Sequence, residues 1–168
     1  MASYPILEQA RHLKALVLDV DGILSDGFVT LTNSGDEIKS FDIRDGLGMK
    51  LVQQAGMKVI IITGRKSQIV DKRMSDLGVD LVFQGREDKG VALREACAQL
   101  NILPSDCLYM GDDWPDLPLL GHAALVSRSA VAGPGEAEQN RASQAQPALK
   151  LAQNAGAANR AGLFYQQF

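Results

Sequence analysis

Asp19 and Asp21 leave the end of a short apolar run, Ala15–Leu18, and Gly22 follows them at once. Two acids at one strand end repel each other and lose hydration, and a bound cation is the usual counterpart. Their spacing also lets one carboxylate attack while the other moves protons. Three more polar sets follow apolar runs in the same way. Thr63, Gly64 and Arg65 follow residues 59–62. Lys89 comes shortly after 81–83, and Asp112, Asp113 and Asp116 follow 108–110. Taken singly, Thr63 reads as a helix cap and Lys89 as a solvated charge. Taken together, these groups suit phosphoryl transfer, where positioning and charge stabilisation do most of the catalysis.

In that chemistry Asp19 attacks phosphorus to form an aspartyl-phosphate. Asp21 protonates the leaving alkoxide and then deprotonates the hydrolytic water. Asp19 and Asp112, with Asp21 in the same set, hold a hard cation. Mg²⁺ fits, because it takes a few carboxylates and completes its shell with water and phosphate oxygen. Thr63 donates to a phosphoryl oxygen and Lys89 balances its charge. Asp113 or Asp116 orients the metal shell or Lys89.

The elements that must position these groups alternate. Four apolar runs (15–18, 59–62, 81–83 and 108–110) are separated by helical patterns at 47–55, 67–77 and 89–100. Gly56 and Gly78 stand just past two of those helices, as helix-ending glycines do. Continuous apolar strands between helices predict an α/β, Rossmann-like three-layer sandwich with a parallel sheet, in which ligands bind at the carboxyl ends of the strands. One insertion departs from that plan. Residues 28–31 and 38–41 flank Asn33-Ser34-Gly35-Asp36, which predicts a β-hairpin within 28–42, after the first strand.

From Gly121 onward Ala, Gln, Asn and Gly dominate and apolar periodicity fades after Val126. The expected division is a core over 1–126 and an atypical, partly disordered tail over 127–168. Within this region 124–126 reads as a last strand, 132–146 as loop, 148–152 as a turn or two of helix, and 163–165 as an apolar end. Such a loss of pattern in mid-domain is what a shifted reading frame produces.

Composition narrows the classes further. The chain has 168 residues, 46% hydrophobic and 22% charged, with a net charge of −3. It carries no basic footprint for nucleic acid and no apolar stretch long enough for a bilayer. The charged N-terminal stretch is a poor signal peptide, and the expected location is cytoplasmic. Cys97 and Cys107 lack metal-type spacing and read as buried reduced thiols, while His12 and His122 stand apart from any other ligand.

The four polar sets resemble, in order and position, the four motifs of the haloacid dehalogenase superfamily of phosphohydrolases. The resemblance covers residues 15 to 120. P-type ATPases share this core but carry Thr where this chain has Asp21. The gaps between motifs leave no room for a cap domain, so the chain is similar to the capless group, whose open sites a neighbouring subunit can cover through the hairpin. The wording Asp21-Gly22-x-Leu24-x-Asp26-Gly27, Phe41-Asp42-Ile43-Arg44-Asp45-Gly46-x-Gly48 and Ile62-Thr63-Gly64-Arg65 narrows the resemblance to sugar-acid phosphatases. It implies an Mg²⁺-dependent homotetramer of lipopolysaccharide precursor biosynthesis. The implied substrate is 3-deoxy-D-manno-octulosonate 8-phosphate, with a nonulosonate 9-phosphate as the alternative. Arg65, beside Gly64, is placed for the sugar acid's carboxylate, since a guanidinium binds one bidentately. The family also continues into a Gly-Gly-x-Gly-Ala-Val-Arg-Glu segment, which this chain lacks. A metal-binding but catalytically impaired homologue is therefore a further alternative. A receiver domain also combines acids, Thr and Lys at strand ends, but its acceptor lies on a middle strand.

Overall fold

Leu16 and Leu18 point to one side of the first strand and Ala15 and Val17 to the other, yet all four are buried, because helices cover both faces of the sheet. The computed structural model describes residues 12–112 and, as backbone, Leu125–Arg128. The sheet strands are β1 (Ala15–Leu18), β4 (Lys58–Thr63), β5 (Leu81–Gln84), β6 (Cys107–Gly111) and β7 (Leu125–Arg128). They run parallel in the order β5-β4-β1-β6-β7. Helices α1 (Ile43–Gln54) and α2 (Gln68–Leu77) pack on one face. There Met49, Val52, Val70 and Met74 meet Leu16, Leu18, Val59 and Ile61. Helix α3 (Lys89–Leu100) covers the other face, with Leu93, Ala96 and Cys97 against Val17, Ile60, Ile62 and Tyr109. The three-layer α/β sandwich expected from the alternation is the observed fold.

The strand order determines where a ligand can sit. From β1 the chain winds outward through β4 and β5, then returns to the other side of β1 as β6 and continues to β7. The connections therefore diverge between β1 and β6. Such a switch point opens a crevice at the carboxyl ends of the two strands. Asp19 and Asp112 follow β1 and β6 immediately.

Local chemistry sets the element ends. Helix α2 stops at Gly78 (φ 67°), whose left-handed backbone suits glycine. Gly56 (φ 89°) follows the end of α1 and donates to the Gln53 carbonyl. Helix α1 begins at Ile43, four residues before the expected start. Gly46 and Gly48 weaken the apolar period there, but Asp42 caps the helix by accepting from the Arg44 N–H at 2.8 Å. Gly46 also packs closely against Arg73 and Leu77 of α2.

The hairpin is shorter than expected. Its strands β2 (Thr30–Leu31) and β3 (Glu37–Ile38) pair over two residues each, Thr30 with Ile38 and Leu31 with Glu37. Its turn is closed locally, with the Asp36 N–H donating to Thr32 Oγ1 at 3.0 Å and Ser34 Oγ donating to the Asp36 carboxylate at 2.5 Å. The strand expected at 124–126 is β7, which runs to Arg128, past the expected boundary at 126. The readings at 132–146, 148–152 and 163–165 lie outside the described residues, as does His122. His12 is exposed. Cys97 and Cys107 are buried free thiols with sulfurs 3.6 Å apart, and burial pushes both pKa values up. Among the described residues no helix is long and apolar enough to cross a membrane.

Candidate active site

The ladder between β1 and β6 extends one bond beyond β1. The Asp19 N–H donates to the Met110 carbonyl at 3.0 Å, fixing the backbone of the first acid. The chain then turns sharply. The N–H groups of Ile23, Leu24 and Ser25 all converge on the Val20 carbonyl. Gly22 permits the turn with φ 83°, and a Cβ at this position would overlap the Asp112 carboxylate. The close approach brings Asp112, from β6, against the turn that carries Asp19 and Asp21.

Asp19 is 5% exposed and Lys89 is 3% exposed. Lys89 Nζ donates to Asp19 Oδ2 at 2.5 Å, and the Val20 N–H donates to Oδ1 at 2.6 Å. A lysine in the first turn of a helix opposes the helix dipole, and burying its ammonium costs hydration. Its inward direction therefore depends on a partner such as Asp19. Asp88, at the N-cap of α3, does not cap the helix with its side chain and instead pairs with Arg86. Hydrogen bonding to Arg86 holds both Asp88 and Glu95 below the usual carboxylate range. Thr63 ends β4 and is 2% exposed. Gly64 and Arg65 lie exposed in the loop that follows.

The structure pairs Asp19 with Lys89, sets Asp112 against Gly22 in the turn that also carries Asp21, and places Thr63 at the end of the strand next to β1. Asp113 and Asp116 lie outside the described residues. Among the described residues no three His, Cys, Asp or Glu side chains form a ready-made metal cage. Mg²⁺ does not need one, since one or two carboxylates, water and phosphate oxygen complete its shell. Asp19 and Asp112, hard oxygen donors from adjacent strands meeting at one turn, fit such an ion.

Sequence reasoning missed the hairpin's contribution. Lys39, just past β3, has a side chain only 2% exposed and donates to Asp21 Oδ1. Ser25 Oγ lies 3.4 Å from the same oxygen. Glu37, two residues before Lys39, accepts from Arg65 and from Ser67, the N-cap residue of α2. Side chains two apart on a strand share a face, so Glu37 and Lys39 both reach the core while Ile38 between them is exposed. The alternation of charged and apolar residues is readable in the sequence, but the inward direction of the charged side is not, because it is set by partners distant in the chain.

This arrangement, a parallel sheet with acids, a buried lysine and a threonine at its switch point, defines a class, the capless phosphohydrolases of the haloacid dehalogenase superfamily. A Legionella pneumophila hydrolase of that superfamily (subfamily III A) superimposes with a TM-score of 0.69 at 35% identity, over 89% of this chain and 90% of that one. No family model matches the chain. The chain is 37% identical over 132 residues to the 3-deoxy-D-manno-octulosonate 8-phosphate phosphatase KdsC of Escherichia coli K12, covering 79% of this chain and 70% of the relative. The Moraxella catarrhalis phosphatase of that name, solved with magnesium, phosphate and KDO, superimposes with a TM-score of 0.73 at 33% identity, over 92% and 96% of the two chains. The chain belongs to the family of 3-deoxy-D-manno-octulosonate 8-phosphate phosphatases, and so to the phosphoric monoester hydrolases.

Proposed function

We propose that the chain hydrolyses 3-deoxy-D-manno-octulosonate 8-phosphate, a step of lipopolysaccharide precursor biosynthesis, through an aspartyl-phosphate on Asp19. The observation that carries this reading is the buried Asp19–Lys89 pair at the switch point, with Asp112 against the same turn. One oxygen of Asp19 attacks phosphorus in line as the bond to the sugar oxygen breaks. Asp21 gives its proton to the departing alkoxide. It then takes a proton from water, which attacks the same phosphorus and releases phosphate, restoring Asp19. The Thr63 hydroxyl and the Lys89 ammonium stabilise charge on the phosphoryl oxygens. Mg²⁺, held by Asp19 and Asp112 with Asp21 in the same set, supplies further charge neutralisation when bound. Asp113 or Asp116 orients that shell or Lys89.

Arg65, backed by the open backbone at Gly64, receives the sugar acid's carboxylate. The core reaches through β7 to Arg128, two residues past the boundary expected at 126. The hairpin joins four subunits, supported by the exposure of Phe28, Val29, Leu31 and Ile38. Buried unlinked thiols suit the reducing cytoplasm.

Phosphate release should be measured over a panel that includes the octulosonate 8-phosphate, a nonulosonate 9-phosphate and neutral sugar phosphates, with Mg²⁺. The expected result is preference for the octulosonate and loss of turnover in Asp19→Asn. Turnover of the nonulosonate alone would reassign the substrate, and no turnover by folded, metal-loaded protein would overturn the reading.

A further inference from the structure

We propose that Glu37 of the hairpin is a positioning residue for specificity, which sets the Arg65 guanidinium to receive the carboxylate of a sugar-acid phosphate. This rests on the functional reading above and adds the hairpin's part in it. Both oxygens of Glu37 engage the segment after β4. Oε1 accepts from Arg65 Nη2 at 3.1 Å and Oε2 accepts from Ser67 Oγ at 2.5 Å.

Ser67 is a firm anchor for that carboxylate. It occupies the N-cap position of α2 but does not cap the helix with its side chain, which is turned to Glu37. Its backbone N–H donates to Gln84 Oε1 at 2.8 Å, and Gln84 Nε2 donates back to the Ser67 carbonyl at 3.2 Å and to Asp71 Oδ1 at 2.5 Å. Through Ser67 and Gln84, Glu37 is therefore tied to the end of β5 and to α2.

Arg65 alone would be a poor recognition element. Its side chain is 47% exposed, and a long exposed side chain loses rotamer freedom when a ligand fixes it. Glu37 takes up that ordering before substrate arrives. It engages one terminal nitrogen of a planar group with five N–H donors, which leaves donors for a second carboxylate. The same strand places Lys39 on Asp21, so the hairpin touches the proposed acid/base and the proposed specificity residue from one face.

The test is steady-state kinetics of the full chain with Mg²⁺ on 3-deoxy-D-manno-octulosonate 8-phosphate and on p-nitrophenyl phosphate, which has no carboxylate. The variants are Glu37→Ala, Glu37→Gln, Arg65→Ala and the Glu37→Ala/Arg65→Ala double variant. Glu37→Ala should raise KM for the sugar-acid phosphate about tenfold, keep kcat within about twofold and leave KM for p-nitrophenyl phosphate unchanged. Glu37→Gln, which keeps an acceptor oxygen, should recover part of the loss. In the Arg65→Ala background Glu37→Ala should add nothing, as expected of one interaction unit. Should Glu37→Ala not fold, Glu37→Gln against wild type carries the same comparison.

Equal losses on both substrates, no loss, additive losses, or a lower KM from relief of competition for Arg65 would each overturn the proposal. If the wild type shows no preference for the sugar-acid phosphate, the substrate reading falls and the Glu37 role with it. If the preference stands and the Glu37 variants keep it, only the Glu37 role falls.

Discussion

At the scale of single residues, Asp19 and Lys89 illustrate how a buried pair couples stability to function. Breaking such a pair by removing one partner leaves a charge in the interior, a cost of about 3–5 kcal/mol. Lys89→Met should therefore lower the melting temperature and cut phosphate release by ~10²-fold or more, as loss of a transition-state cation does. Added Mg²⁺ should restore part of the lost stability, because a cation bound to the native state alone stabilises it by linkage. Thermal unfolding with and without Mg²⁺, alongside turnover, checks this, and an unchanged melting temperature would count against it. Gly22 makes a second case. Its φ of 83° disfavours any side chain by about 1–2 kcal/mol, and a Cβ would also displace the Asp112 carboxylate. Gly22→Ala should unfold at lower temperature and lose most phosphate release. A fully active Gly22→Ala enzyme would mean that the turn and Asp112 have room to shift.

At the scale of elements, β1, β4, β5 and β6 were legible because a strand buried on both faces must be apolar throughout, and Asp19, Thr63 and Asp112 were legible because they stand at or just past the ends of such runs. Lys89 was legible because it opens a helix. The beginning of α1 was not, since Gly46 and Gly48 erase the period while the Asp42 cap and the contact with α2 override it. Glu37, Lys39 and Ser67 were hidden for another reason. Their partners lie 28, 18 and 30 positions away in sequence, and no local pattern encodes such distances. Asp80 is a comparable long-range contact with a pH signature. It follows α2 and accepts from the Val59 N–H at 2.9 Å and from Lys58 Nζ at 2.8 Å, pinning the start of β4. Burial pushes its pKa up, but the Lys58 and Val59 hydrogen bonds outweigh that and hold it below the ordinary 3.8. A carboxyl depressed in the folded state stabilises the protein fully above its unfolded pKa, and the contribution is lost as pH falls through the folded value. Urea midpoints followed from about pH 5 downward should fall more steeply for the wild type than for Asp80→Asn, the two curves converging only once the pH is below the folded value. Parallel curves would remove Asp80 from the acid response.

At the scale of the whole molecule, the hairpin presents a problem that one chain does not solve. Its ladder is two residues long, and an isolated two-stranded hairpin is marginal in water. Glu37 and Lys39 hold one side of it to the core, yet Phe28, Val29, Leu31 and Ile38 remain more than half exposed, as do Ile43 and Leu47 at the start of α1. Exposed apolar groups gathered on one projecting element mark an interaction surface, and the open edges of β2 and β3 can pair with further strands. Closed symmetric assembly of identical chains would cover both features at once and shield a site that has no cap domain. Light scattering after gel filtration should give a tetramer for the wild type and a smaller species for Ile38→Lys, which places a charge where the partner must pack. The Ile38→Lys protein should keep Asp19 and Asp112 at their strand ends and so still gain thermal stability from Mg²⁺, while its turnover falls because the hairpins no longer cover the site. A wild type that stays monomeric at micromolar concentration would sink the assembly. Loss of the Mg²⁺ response along with the tetramer would instead show that the site itself is built only in the assembled molecule.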